Sequence, residues 1–291
     1  MIKTKLQLLP TGFPKTEVLA YASKVNGQWK AQYPGPFIQA FSDTPCYVIY
    51  TNDIEGKHFL PVDYSPPFEM ISPLRNEVPT VPHLHGLETE MGSDGEPMAY
   101  WTRSGARGEV YFTLKSKTLK KNDAIYRYYN TKEGLYWYHD HTMAMTRLNV
   151  YAGLVGLYEI INPKISSEES NILKIYGNVE RRHFAISDKT FNTDGSLNYP
   201  NTTFFPDFTS WVPGFSGNTN MVNGKVWPKL SVQPKVYRFS LLNACQGKFL
   251  NVYFETSNGT KLDFELFRRD SDFTKNAVKT KELLLLNGGR V

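Results

Sequence analysis

The chain has 291 residues, 41% of them hydrophobic and 21% charged, with a formal net charge of +5. This composition excludes a disordered polyampholyte, and so small a positive surplus, spread along the chain, excludes a nucleic-acid footprint. The length points to about two domains, and the 14% aromatic residues with 18 prolines favour sheets and turns over helical bundles.

In chain order, Met1 to Pro10 holds one short apolar run, Leu6 to Leu9, well below the core of a secretion signal. No stretch approaches the ~20 apolar residues of a membrane span. The expectation is a soluble protein with no membrane or nucleic-acid partner. Its compartment is unassigned, cytoplasmic or spore-coat-like being most compatible. Cys46 to Tyr50, Gly108 to Leu114, Gly134 to His139 and Ala152 to Ile161 are β-branched, aromatic or alternating and predict strands. Met143 to Tyr151 predicts one or two helical turns. Asn162-Pro163-Lys164 and Ser166 to Ser170 are polar and turn-rich, which sets a domain boundary dividing 1–163 from 164–291. Beyond it, Thr193-Asp194-Gly195 and Asn223-Gly224 are hairpin turns, and Val236 to Leu242, Phe249 to Glu255 and Glu282 to Leu286 predict further strands. The pattern is that of an all-β protein built from sandwiches. The closing strands of the second sandwich are not found before Val291, so that unit is read as incomplete. The two cysteines, Cys46 and Cys245, are read as small buried hydrophobes; a bridge between them is left open.

Four of the six histidines fall in two pairs, His83-Leu84-His85 and His139-Asp140-His141. Residues i and i+2 of an extended chain share a face, about 6.5–7 Å apart at the strand rise. Two imidazoles at that spacing converge on one ion or serve two neighbouring ions. Two such pairs on adjacent strands would make a four-imidazole platform suited to copper, zinc, iron or nickel. Gly86 permits a close backbone approach beside the first pair. Leu135 to Tyr138 give the second an aromatic wall that excludes water and holds ligand rotamers. His58 and His183 lie outside any ligand spacing, and Met143 and Met145 are read as helix packing.

The stretches Pro82 to Pro97, Leu135 to Leu157 and Met221 to Ala244 resemble the multicopper oxidase family, and within it the spore-coat laccase and bilirubin-oxidase group. The segment Trp137-Tyr138-His139-Asp140-His141 with Met143 to Gly156 is the most specific match. Val222 to Pro228, Pro34-Gly35-Pro36 and His58 to Pro61 also fit. The resemblance implies tandem cupredoxin-like Greek-key sandwiches and an oxidoreductase. Such an enzyme takes electrons from a small phenolic, pyrrolic or metal-ion donor and reduces dioxygen to water. By the same resemblance, His83 stands at a type 2 copper ligand, and His85, His139 and His141 stand at type 3 ligands. Asp94 occupies the place of an acid that delivers protons to oxygen; as residues alone, Ser93-Asp94-Gly95 also reads as a plain turn. The family's further histidine motifs, and the Cys-containing motif of its type 1 copper, have no counterpart in these 291 residues. The chain is therefore read as holding half of a trinuclear copper site and no type 1 site. Activity would need a C-terminal half from a longer chain or a partner. The alternative is a non-catalytic copper-binding or coat-type structural remnant.

Overall fold

A computed structural model of the chain describes residues 1–64, 68–200 and 214–291. In the first half the strands are β1 (Ile2–Leu6), β2 (Thr16–Val25), β3 (Gln28–Gln32), β4 (Gly35–Phe41), β5 (Cys46–Thr51), β6 (Pro82–His85), β7 (Asp123–Tyr128), β8 (Gly134–Asp140) and β9 (Val155–Ile161), with helix α1 (Thr146–Ala152) before β9. Helix α2 (Ser167–Tyr176) follows. The second half has β10 (Glu180–Lys189), β11 (Thr219–Val222), β12 (Lys225–Val226), β13 (Tyr237–Asn243), β14 (Leu250–Tyr253), β15 (Phe264–Arg269), β16 (Asp272–Thr280) and β17 (Glu282–Leu285). The all-β expectation holds.

The sheets explain the patterning. One has the order β4-β9-β8-β6, with β4 parallel to β9 and the other pairs antiparallel. β8 lies inside this sheet and is buried along its whole length, which is why its sequence is nearly all apolar and aromatic rather than alternating. β5 pairs with β7, and β1-β2-β3 form a meander. In the second half β12-β11-β10-β13 form one sheet, with β14-β17 and β15-β16 as two antiparallel pairs. Among the described residues, no strand ladder crosses from the first half into the second.

The main core lies in the first half and is rich in tyrosine: Tyr126, Tyr128, Tyr136, Tyr138, Tyr151 and Tyr158 are all buried. A buried phenol needs a partner for its hydroxyl. Tyr138 donates to Pro36 O at 2.6 Å, Tyr158 to Asn130 Oδ1 at 2.7 Å, and Tyr151 to Asn198 O at 2.8 Å. Gly156 on β9 makes room for one of these rings: a Cβ there would sit 2.2 Å from Tyr138 Cζ. A second cluster joins the two halves, with Trp137, Val155 and Leu157 against Ala185, Met221 and Leu242.

Two expectations are corrected. Gly108 to Leu114 is irregular, not a strand. Its chain takes scattered bonds instead of a ladder: Gly108 N–H donates to Tyr100 O, and the Thr113 hydroxyl accepts the Ile125 N–H at 2.8 Å. The polar stretch after Lys164 continues into α2 rather than remaining a turn. Ser166 Oγ accepts the Glu169 N–H at 3.3 Å, the Ser-x-x-Glu spacing of a helix start. Glu169 itself is buried between Arg181 and Arg238. The Asn223-Gly224 turn joins β11 to β12 with both residues at positive φ, 48° and 76°, as a two-residue hairpin requires. Both cysteines are free thiols; Cys46 Sγ lies 3.0 Å from the Tyr158 hydroxyl.

Candidate metal centre

The two histidine pairs meet at one end of the β4-β9-β8-β6 sheet. The β6–β8 register sets His83 directly opposite His139 and His85 opposite Trp137. His141 follows the last residue of β8, its N–H bonded to Val81 O at 2.8 Å. The rings form one cluster. His83 is 4.8 Å from His141 between centroids and stacked on it, 5.4 Å from His139 and 5.7 Å from His85. His139 is 5.5 Å from His85 and 5.8 Å from His141. Donor atoms of His83, His85 and His139 lie within 4.8 Å of one another. Trp137 packs 4.2 Å from His139 and stacks 5.0 Å from His85.

Backbone carbonyls fix the rings. His83 Nδ1 donates to Asp94 O at 2.5 Å, His141 Nδ1 to Gly95 O at 2.9 Å, and His139 Nδ1 to Asp140 O at 2.7 Å. A carbonyl oxygen can only accept, so Nδ1 of each ring carries the hydrogen and Nε2 keeps the free lone pair. His85 is set differently: its Nδ1 faces His139 Nε2 at 3.3 Å. Burial holds the His83 and His139 rings below the usual imidazole range, opposed by the carbonyl bonds and reinforced by the neighbouring rings. Burial, with the Arg290 guanidinium next, lowers His85 to about 4. Three rings are thus neutral near pH 7, the state a metal ion requires.

Three contributors went unnoticed in the sequence. The first is the main chain of Asp94 and Gly95, whose consecutive carbonyls cradle His83 and His141. Gly95 has φ +80°, and a Cβ there would lie 2.3 Å from Pro82 O. The second is Asp140, fully buried between the paired histidines. Its carboxylate accepts from Val81 N–H, Thr142 N–H, the Thr142 hydroxyl and Asn149 Nδ2 at 2.8–3.1 Å. Burial outweighs these four bonds and raises its pKa to about 6. The signal was present: in a strand, the residue between two that face one way faces the other, here into the core. The third is Arg290, buried and bonded to Leu135 O and Gly288 O. It fills the space that Gly86 leaves, where a Cβ would meet its Nη2 at 2.4 Å.

The carboxylate of Asp94 stands at the rim. It accepts from the Thr89 hydroxyl at 2.6 Å and lies 3.5 Å from His83 Nδ1, half exposed to solvent. His58 and His183 lie apart from the cluster. His58 is buried with Nδ1 accepting the Leu60 N–H at 2.9 Å, and His183 Nε2 is 3.9 Å from Glu159. Among the described residues, the three-histidine group is the one set of His, Cys, Asp or Glu donors close enough to share a metal ion.

The sheet order and the imidazole cluster define a class: β-sheet proteins with a histidine site able to hold a metal ion. The McoA multicopper oxidase of the hyperthermophile Aquifex aeolicus shares the fold at a TM-score of 0.70 and 21% identity, covering 99% of this chain and 51% of that one. No protein-family model matches the chain. The laccase of Bacillus subtilis (strain 168) is 37% identical over 258 residues, 87% of this chain and 47% of that protein. The multicopper oxidase LPR1 of Arabidopsis thaliana is 36% identical over 274 residues, 94% of this chain and 44% of its own length. The chain belongs to the multicopper oxidase family. It spans about half the length of the curated relatives it matches.

Proposed function

We propose that this chain contributes four imidazoles to the oxygen-reducing copper centre of a laccase-like multicopper oxidase, His83 to a type 2 copper and His85, His139 and His141 to a type 3 pair. The observation that carries the reading is the meeting of four rings from β6, β8 and the residue that follows β8, three with Nδ1 tied to carbonyls so that Nε2 bears the lone pair. The donor set fits copper: imidazoles, partly buried, with an aromatic wall and carbonyl partners behind them. Copper held there would supply one-electron chemistry for reducing dioxygen to water at the expense of a phenolic, pyrrolic or metal-ion donor.

The protein's own part is positional. The Asp94-Gly95 carbonyls and Asp140 O hold ring orientation, Trp137 screens His85 and His139 from water, and the Asp94 carboxylate carries protons inward from solvent beside His83. Residues 1–163 form the unit with both histidine pairs, and 164–291 a second cupredoxin-like unit. The two thiols stand away from this cluster, Cys46 against Tyr158 and Cys245 beside Asp188. The electron-accepting type 1 copper is accordingly assigned to polypeptide outside this span.

Titrating the purified chain with Cu(II) under electron paramagnetic resonance tests the reading. Saturable binding with nitrogen hyperfine structure and no intense blue absorption is expected, and the double variant His139→Ala, His141→Ala should abolish it. Unchanged binding in the double variant, or a strong blue band from the chain alone, overturns the assignment.

A further inference from the structure

Three of the four clustered rings are held by a carbonyl at Nδ1, and His85 is the exception. Its Nδ1 lies 3.3 Å from His139 Nε2. His139 already directs its Nδ1 hydrogen at Asp140 O, so its Nε2 is the acceptor and His85 Nδ1 the donor. That bond joins one candidate ligand to another. An ion that takes the His139 Nε2 lone pair removes the acceptor, and the orientation of His85 then rests on packing.

The packing comes from both halves of the chain. Trp137 on β8 stacks on His85 with centroids 5.0 Å apart. Gly288, in the segment after β17, closes the corner where these two rings meet. A Cβ there would lie 3.3 Å from His85 Cε1, 3.6 Å from His85 Nε2 and 3.4 Å from Trp137 Cζ2. A residue without a side chain suits both that approach and its φ of +69°.

Gly288 is itself pinned. Its N–H donates to Asn243 O at 2.8 Å, and Asn243 N–H donates to Gly289 O at 3.0 Å, which ties the segment to the end of β13. Asn287 Nδ2 donates to Cys245 O at 2.9 Å. The buried Arg290 guanidinium then reaches across to the first half. Its Nη1 donates to Gly288 O at 3.0 Å, and its Nε donates to Leu135 O on β8 at 3.2 Å. Nη2 donates to Ser271 Oγ at 3.3 Å, and the Asp270 carboxylate lies 3.0 Å from Nη1. A planar fork bonded at both ends fixes the Gly288 carbonyl against the strand that carries Trp137 and His139, whereas a lysine ammonium is a single point on a flexible stem.

We propose that Gly288 and Arg290 are positioning residues for His85: Gly288 wedges the ring against Trp137, and Arg290 locks the Gly288 segment to β8. The second half of the chain thereby sets the fourth ring of a cluster whose histidines all come from the first half. The proposal rests on the copper reading for what the ring is positioned to do, and its experiment separates the two.

The metal-free full chain, with its histidine rings labelled with nitrogen-15, is compared by nuclear magnetic resonance with Arg290→Lys, Gly288→Ala and Gly259→Ala. Gly259→Ala is the control for backbone strain, with φ +83° and nothing within 4 Å of the added Cβ. A His85→Gln spectrum identifies the His85 signals. These should shift or broaden in Arg290→Lys and Gly288→Ala and match the parent in Gly259→Ala, with His58 and His183 unmoved throughout. Cu(II) titration under electron paramagnetic resonance should show affinity falling about tenfold or more in Arg290→Lys, by a smaller factor in Gly288→Ala, and not in Gly259→Ala. Where Arg290→Lys does not fold, the two glycine variants decide. His85 signals that stay in place, or that move as far in Gly259→Ala, overturn the proposal, as do shifted signals with unchanged Cu(II) affinity. A parent chain that binds no Cu(II) while the His85 signals still shift overturns the copper reading and leaves the positioning of the ring standing.

Discussion

Gly95→Ala tests how the main chain builds the histidine cluster. The added Cβ would lie 2.3 Å from Pro82 O and 2.8 Å from both Pro82 C and His83 Cα. All three are backbone or Cα positions beside the first histidine of the pair, so no flexible side chain can yield. The residue must also hold φ near +80°, which costs an alanine roughly 1–2 kcal/mol. Relief of the contact requires the 94–95 peptide to swing away from β6, weakening the carbonyl bonds to His83 and His141 at about 0.5–1.5 kcal/mol each. The loss of unfolded-state freedom returns about 0.4–1 kcal/mol. The net is a destabilisation of about 1–4.5 kcal/mol, together with loss of ring orientation. Gly259→Ala is the matched control: φ is +83° there, and nothing lies within 4 Å of the added Cβ. Thermal melts and Cu(II) titrations of the three proteins separate backbone strain, common to both variants, from the clash, confined to Gly95→Ala. A Gly95→Ala protein that melts with Gly259→Ala and binds Cu(II) as the parent does would refute the reasoning.

Other expectations concern stability. Burial lowers His58 from 6.5 to about 3, so it is neutral when folded while the unfolded chain takes up a proton below pH 6.5. Its stabilisation is fully present above that pH and is lost on acidification toward pH 3. At pH 5 the loss is about 2 kcal/mol, and melts at pH 8 and pH 5 should show His58→Asn reducing the difference by that amount. Ser166→Ala removes the hydroxyl that caps α2 and should cost about 1 kcal/mol in denaturant unfolding. Glu169→Ala strips Arg181 and the largely buried Arg238 of their shared carboxylate. It should cost about 3 kcal/mol, whereas Glu169→Gln, which retains an acceptor for Arg238, should cost visibly less in the same assay.

The polar run from Ser166 to Ser170 shows the limit of local patterning. Turn-formers mark a loop as readily as a helix start, and the choice was made by Glu169, which reaches two arginines on β10 and β13. Gly108 to Leu114 fails in the opposite direction: the alternating segment reaches β7, but through side chains, the Thr113 hydroxyl to Ile125 N–H and the Tyr111 hydroxyl to Asp123 O, and not through a main-chain ladder.

The amino-acid sequence by itself determined the all-β class, the buried strand β8 and the two i, i+2 histidine pairs, because strand period and burial are local properties of side-chain order. The tertiary structure alone decided the β6–β8 register that faces His83 with His139, the Asp94-Gly95 carbonyls that lock two rings, and the bond from Asn149 to the Asp140 carboxylate. Those features depend on hydrogen bonds between residues far apart along the chain, and no spacing within one segment encodes which distant carbonyl will meet a given imidazole.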